Sequence, residues 1–230
     1  MNKWVGCLVV AGTRSLWLFC AGVILWHSNA LAQPTTYVVD PAGSTVHIYT
    51  DTSGFLGTFG HKHLIAITGI SGEVVVAEQG GHAQLIVRPD NFLVDNDAER
   101  ARAVDPEYRE PVSERVRTGT RKNMLGKQVL DSTNYPEIAV NVQLDRLSAS
   151  PLLQLSVTIL GEEHRLQVPA ILDVNQESIR ASGYFELKHS NLGMEPFTAA
   201  GGMLKVSEKL RIQFEILANA RSGEPSKRGE

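Results

Sequence analysis

Apolar and polar residues alternate with a period of two in many short runs of this 230-residue chain. The clear runs are residues 138–144, 153–159, 166–174, 179–187 and 210–216, and fainter ones are residues 37–50, 64–77 and 82–87. Successive side chains of a β-strand point to opposite faces, so the alternation predicts strands with one buried face. The chain is therefore predicted to be all-β, with about eight antiparallel strands in a two-layer sandwich or a closed barrel.

Turn signals rich in glycine, serine and proline separate these runs, and no repeat or linker divides them. We expect one domain over residues 33–218. Residues 219–230 are polar and contain Gly, Ser and Pro, so they are predicted to be a disordered tail. With 43% hydrophobic and 20% charged residues, the whole chain is neither a disordered nor an integral membrane protein by composition.

One interval breaks the alternation. Residues 95–112 are dense in charge and are predicted to form a solvated loop. Residues 113–130 favour one or two short helical turns that end near Gly126. The inward stripe of these turns would hold three apolar residues, Val116, Met124 and Leu125.

Residues 1–32 have the organisation of a secretory signal peptide. Lys3 and Arg14 supply its positive charge, and residues 15–26 supply a 12-residue apolar segment. Ala30-Leu31-Ala32 then supplies the pattern of small residues that precedes a cleavage site. The alternative is an uncleaved anchor, but 12 residues are too few to cross a hydrocarbon core about 30 Å thick. We expect cleavage after Ala32 and a periplasmic location.

The mature chain would contain no cysteine, because Cys7 and Cys20 leave with the leader. Disulfides, thiolate zinc sites and cysteine nucleophiles are thereby excluded from it. Once Lys3 and Arg14 are removed, 20 basic and 25 acidic residues remain, a formal net charge of −5. This balance argues against a nucleic-acid binder and against polybasic attachment to a membrane.

Catalytic signals are absent from the sequence. It has no Gly-x-Ser-x-Gly elbow, no phosphate-binding glycine loop and no His-Glu-x-x-His motif. No spacing of acidic residues marks a carboxylate pair for acid–base work. The sequence thus gives little support for catalysis.

The histidines allow two interpretations. On an extended backbone His61 and His63 lie on the same face, and His189 continues the inward parity of its own run, with His47 a weaker candidate. Such a cluster could bind a transition metal or haem, although a stable site needs a third or fourth ligand. The alternative, which we favour, is that these histidines are hydrogen-bonded residues with no metal. We therefore predict no cofactor.

The predicted interior also allows two interpretations. An eight-stranded barrel has room for its own side chains or for one small ligand. Three of the inward residues, Ala170, Ala181 and Gly183, are small and would leave space for an elongated lipid. The residues expected to contact such a ligand are Val140, Val142, Leu155, Val157, Gly183, Phe185, Leu187, Ile212 and Phe214. Periodicity alone leaves a filled core equally open.

Several segments, in order, resemble the YceI-like family of secreted lipid-binding proteins. They are residues 37–46 (YVVDPAGSTV), 69–74 (GISGEV), 130–138 (LDSTNYPEI), 160–165 (LGEEHR) and 187–196 (LKHSNLGMEP). The resemblance extends from about Tyr37 to Ala218, nearly the whole mature chain. Gly60-His61-Lys62-His63 resembles a subgroup with a Gly-His-x-His sequence.

The resemblance implies a lipocalin-like antiparallel barrel of about eight strands, exported and without catalytic activity. It implies an isoprenoid or another long-chain lipid as the interior ligand. His61, His63 and His189 would then face the polar end of that ligand, with metal or haem binding as the alternative. A homodimer is left open.

Overall fold

The computed structural model describes residues 34–54 and 61–221. The predicted signal peptide, residues 1–32, and residues 222–230 of the predicted tail lie outside the described residues. Within the described ranges, no helix is long and apolar enough to span a membrane.

The part of the chain that the structure describes contains thirteen strands and two α-helices. The strands are β1 Thr35–Val39, β2 Thr45–Ser53, β3 His63–Ile67, β4 Ser71–Ala77, β5 Gly80–Val87, β6 Phe92–Val94, β7 Ile138–Leu144, β8 Leu152–Ile159, β9 Glu162–Pro169, β10 Ile171–Val174, β11 Ser178–Lys188, β12 Thr198–Ala199 and β13 Leu204–Ala220. The helices are α1 Asp97–Ala101 and α2 Glu114–Leu125.

The longest strand, β13, organises an antiparallel sheet. β11 pairs along one edge of β13, from Lys188 opposite Lys209 to Ser178 opposite Asn219. The other edge of β13 pairs first with β2 and then with β1. One arm of the sheet continues from β2 through β3 to β6, and the other from β1 through β4, β5, β7 and β8 to β9. The predicted all-β, antiparallel class is confirmed.

The sheet is not closed into the predicted barrel. No ladder joins β9 to β11 among the described strands, and β11 pairs with the short β10 instead. The run 166–174, predicted as one strand, is divided between β9 and β10 at Ala170. Pro169 has no N–H to donate to a neighbouring strand, which explains the interruption.

Most predicted strands are found where the alternation placed them. The five clear runs correspond to β7, β8, β9 with β10, β11 and β13. The two faint runs 37–50 and 64–77 were each predicted as one strand, and each contains two. The second run turns at Gly69, whose φ of 65° lies in the left-handed region that favours glycine.

The prediction of a solvated loop over residues 95–112 is only partly correct, because most of these residues are exposed but several side chains are buried. This segment contains α1, and Asp95, Arg100 and Tyr108 within it are 0%, 3% and 0% exposed. Arg100 pairs with Asp95 at 2.6 Å, so these two opposite charges are buried together. The density of charge in a segment therefore does not show which of its charged residues are exposed.

The charged segment 95–112 packs against the side of β2 and β3 that does not line the interior. Tyr108 and Ala103 form a small buried cluster with Tyr49 and Leu64. The rings of Tyr49 and Tyr108 meet edge to face, with centroids 5.0 Å apart. Arg211 of β13 lies over the Tyr108 ring, 5.1 Å from its centroid. These contacts hold α1 and its flanking turns against the sheet.

Helix α2 is longer than predicted but ends as predicted, at Gly126. Its twelve residues make about three turns rather than one or two. Two residues of the predicted stripe, Val116 and Met124, face the interior of the sheet, and Leu125 packs against the main core. Arg117 pairs with Asp97 at 2.6 Å, which ties α2 to α1.

The ordered domain extends slightly beyond its predicted boundary. Strand β13 continues to Ala220, and Asn219 pairs with Val38 of β1. Arg221 then donates its backbone N–H to the carbonyl of Thr36, at 2.9 Å. Residues 219–221 therefore belong to the sheet and not to the predicted tail.

Candidate functional site

An interior cavity of about 610 Å³ lies between the curved sheet and α2. Both arms of the sheet line it, with Ile65 from β3 and Val74 from β4 as examples. Val116 and Met124 of α2 complete the lining. Most of the lining side chains are aliphatic or aromatic, so the cavity offers a non-polar environment to an elongated molecule.

Eight of the nine residues predicted to contact a ligand line this cavity. They are Val140, Val142, Leu155, Val157, Phe185, Leu187, Ile212 and Phe214. Alternate residues of a strand lie on the same face, and these eight residues lie on the concave face of the sheet.

Gly183, the ninth predicted residue, does not line the cavity. A Cβ atom on Gly183 would lie 2.5 Å from Cε1 of Phe214 and 2.7 Å from the carbonyl oxygen of Pro169. The space above this glycine is therefore taken by an aromatic ring of the neighbouring strand. Phe214 in turn packs on Phe185, with ring centroids 6.2 Å apart. Gly183 shapes the cavity by positioning Phe214.

We expect Gly183→Ala to lower the free energy of unfolding by about 1–3 kcal/mol, because the new methyl group overpacks against Phe214 and Pro169. Gly119→Ala is the matched control: a Cβ on this residue of α2 meets no atom within 4 Å. Alanine should stabilise the helix there by about 1 kcal/mol. Urea unfolding of both variants measures the two effects, and a stabilised Gly183→Ala would contradict the packing argument.

Five polar residues of the lining lie at one end of the cavity, which we call the polar end and define by His61, His63, Thr120, His189 and Lys205. The antiparallel pairing explains the clustering. His63 begins β3, Lys205 lies at the start of β13 and His189 directly follows β11. The ends of these three strands meet at the same side of the sheet. The three histidines singled out in the sequence therefore do share one end of the interior.

At the polar end, His63 is held by a buried carboxylate. Its Nδ1 atom lies 2.6 Å from Oδ2 of Asp95, a residue that is completely buried. The other carboxylate oxygen of Asp95 accepts hydrogen bonds from Nη1 of Arg100 at 2.6 Å and from the backbone N–H of Leu64 at 2.9 Å. The second ring nitrogen of His63, Nε2, lies 3.4 Å from the hydroxyl oxygen of Thr120.

The surroundings of Asp95 favour its ionised form. Burial by itself raises the pKa of the Asp95 carboxyl group. The hydrogen bonds from His63 and Leu64 and the positive charge of Arg100 oppose burial, and this pKa lies below its ordinary value of 3.8. An ionised carboxylate can only accept hydrogen bonds, so Nδ1 of His63 must donate. The carboxylate thus sets which ring nitrogen of His63 is available to the cavity.

His189 is the most buried histidine of the polar end, with 6% of its surface exposed. Its Nδ1 atom donates to the backbone carbonyl of Glu208 at 3.2 Å. Burial lowers the pKa of His189 from its ordinary value of 6.5, against the opposing effect of that hydrogen bond. The folded protein therefore favours neutral His189.

A base with a lowered pKa makes stability fall as the pH decreases. Below about pH 6.5 the unfolded chain binds a proton at His189 that the folded protein resists, so the free energy of unfolding declines until the folded pKa is passed. We expect His189→Gln to flatten this decline, as measured by urea unfolding at several pH values. His82→Gln changes an exposed histidine and should keep the wild-type dependence. An unchanged pH profile in His189→Gln would contradict the assignment.

The spacing of the same histidines bears on the metal interpretation. The rings of His61 and His63 lie 6.3 Å apart between centroids. Within residues 34–54 and 61–221, no three His, Cys, Asp or Glu side chains are grouped in a way that could hold a metal ion. Metal or haem binding by His61, His63 and His189 stays a prediction.

Sequence analysis did not identify four residues that form or support the polar end: Asp95, Arg100, Thr120 and Lys205. The spacing of Thr120 could have identified it, because it lies four residues from both Val116 and Met124 and so on the same face of α2. Asp95 and Arg100 carry no comparable signal. They lie among other charged residues, and only their burial distinguishes them.

The sequence model of the family described as 'YceI-like domain' matches residues 37–218 of the chain. No curated protein sequence matches the chain. Among solved structures, the chain is similar to Burkholderia cenocepacia BcnA, with a TM-score of 0.54 and 17% identity over 78% of this chain and 99% of that one.

A second similar structure is a polyisoprenoid binding domain from Saccharophagus degradans, implicated in plant cell wall breakdown. The TM-score is 0.53 and the identity 14%, over 81% of this chain and 99% of the other. At these identities the likeness concerns the fold alone.

Proposed function

The chain belongs to the family of YceI-like domains, and from this premise we propose that it binds one long hydrophobic molecule in the interior cavity, without catalysing a reaction. The observation that carries this proposal is the cavity of about 610 Å³ with its mainly aliphatic and aromatic lining. A volume of this size is typical of sites that enclose a small ligand.

The ligand that fits this lining best is a long-chain isoprenoid or a similar lipid. Each methylene group transferred from water into an apolar site contributes about 0.8 kcal/mol, so ten of them contribute roughly 8 kcal/mol before ordering costs. A similar structure, from Saccharophagus degradans, is described as a polyisoprenoid binding domain, which supports the same ligand class. The protein would carry or sequester such a lipid.

The site of action that suits this function is the periplasm. The sequence of residues 1–32 has the pattern of a cleaved signal peptide, and the mature chain would contain no cysteine to be oxidised there. A water-insoluble lipid that has to cross an aqueous compartment needs a protein that shields its chain, and an apolar interior cavity provides that shielding.

Native mass spectrometry of the untagged protein, purified from periplasm without chelator, tests the proposal. We expect a mass excess of several hundred daltons that is released as an organic molecule on denaturation. The same spectra report whether the protein is a monomer or a homodimer. A bare mass, with no binding of added isoprenoid, would overturn the proposal. An excess that matches a metal or haem and disappears in His61→Ala would replace it with the metal interpretation.

A further inference from the structure

Asp95, His63 and Thr120 form a hydrogen-bonded chain that ends at the polar end of the cavity. Asp95 is the buried acceptor, His63 is the middle member with 13% of its side chain exposed, and Thr120 of α2 is the last. Apolar packing alone does not require this arrangement. It places one ring nitrogen and one hydroxyl group side by side in a mainly apolar lining.

The Asp95 carboxylate decides what this ring nitrogen can do. It accepts the proton of Nδ1, so neutral His63 presents the lone pair of Nε2 towards the cavity. Arg100 and the backbone of Leu64 hold the other carboxylate oxygen, which keeps the acceptor in place. Nε2 of His63 therefore acts as an oriented hydrogen-bond acceptor.

Thr120 supplies the complementary group. Its hydroxyl oxygen lies 3.4 Å from Nε2 of His63, at the long end of hydrogen-bond distances. A third oxygen can lie at about 2.8 Å from both atoms at once, donating to the nitrogen and accepting from the threonine. An alcohol or phenol oxygen can do both, whereas an ether or hydrocarbon end cannot donate.

We propose that His63 and Thr120 form a recognition site for a terminal hydroxyl group, so that the ligand is a long-chain alcohol or phenol with its chain in the apolar cavity. This inference rests on the proposed function and specifies its ligand class. Asp95 is a positioning residue in this site, because it acts on the ligand only through His63.

A competition experiment with three ligands of equal chain length tests the proposal: geranylgeraniol, its methyl ether and geranylgeranyl phosphate. The protein is expressed from the full-length sequence, stripped of copurifying lipid and offered equal concentrations, and native mass spectrometry counts each complex. We expect the wild type to prefer the alcohol over the ether by about tenfold, because the alcohol can donate to Nε2 of His63 and accept from Thr120, whereas the ether oxygen can only accept.

Two variants assign the preference to this site. Thr120→Val keeps the shape of the side chain but removes the hydroxyl group, and His63→Leu removes the acceptor. Both should reduce the preference for the alcohol to within about twofold. Thr118→Val is the matched control, because Thr118 is exposed on the same helix and its hydroxyl group donates to Glu114 and not to His63. It should keep the tenfold preference.

The role of Asp95 has a spectroscopic test. Imidazole proton–nitrogen correlation spectra of the wild type should show His63 protonated at Nδ1 and not at Nε2. Asp95→Asn should invert this tautomer, because the amide can donate to Nδ1, and it should abolish the preference for the alcohol. A merely structural role for Asp95 would leave the tautomer unchanged.

The outcomes separate this inference from the proposed function. Equal binding of alcohol and ether by the wild type would overturn the hydroxyl site and leave the lipid-binding function standing. Preference for the phosphate, unaffected by Thr120→Val, would overturn it in favour of an anionic headgroup held by Lys205. If none of the three ligands binds, both proposals fail.

Discussion

Asp95→Ala is expected to lower the free energy of unfolding by about 3–5 kcal/mol, a large part of the stability of a domain of this size. Asp95 and Arg100 are 0% and 3% exposed, and their side chains meet at 2.6 Å. Removing the carboxylate leaves a buried guanidinium charge without its partner. It also takes the acceptor from the backbone N–H of Leu64. Equilibrium urea unfolding measures the loss.

The matched control for this change is Asp97→Ala. Asp97 also pairs with an arginine at 2.6 Å, but its side chain is 74% exposed. Water screens such a pair, so the expected loss is no more than about 1 kcal/mol. Comparable losses in the two variants would contradict the view that burial makes the Asp95–Arg100 pair important.

Ala181→Trp is expected to weaken the binding of a long-chain isoprenoid by on the order of 100-fold. Ala181 lines the cavity on β11, opposite Ile216 of β13. An indole group there would displace about four methylene groups of the ligand, at about 0.8 kcal/mol each. The sum, about 3 kcal/mol, corresponds to roughly two orders of magnitude in Kd. Titration with geranylgeraniol measures the change.

Tyr184→Trp is the control for Ala181→Trp. It places an indole group on the same strand, at a side chain that is 53% exposed on the outer face. Binding should stay within about twofold of the wild type. Circular dichroism establishes that both variants are folded. Unchanged affinity in a folded Ala181→Trp would mean that the ligand does not occupy the cavity.

The strands could be predicted from the sequence because most of them have one face buried in the interior and the other face exposed to water. Val140 and Val142 face the interior while Asn141 and Gln143 lie between them, and this contrast repeats in β8, β11 and β13. A half-buried strand has to alternate in this way whatever its partners are. Eight residues of the cavity lining could therefore be predicted from their positions on the apolar face of each strand.

The charged segment could not be predicted in the same way. The burial of Arg100 depends on its ion pair with Asp95. The packing of the Tyr108 ring depends on Tyr49 and Arg211. These partners come from different parts of the chain, and local composition contains no information about such distant pairings. The number of charged residues therefore predicted solvent exposure at positions where the structure has a buried ion pair.

The sequence by itself determined the all-β class, the inward faces of the strands and the family, because these depend on local alternation and on the order of short motifs. The tertiary structure alone decided how the sheet is interrupted at Ala170, that Phe214 fills the space above Gly183, and that His63 meets a carboxylate 32 residues away. The first is a change of strand partner from β8 to β11, and the other two are contacts between residues distant in sequence. Such contacts are set by packing in three dimensions, where a single ring or carboxylate decides what the neighbouring residue can do.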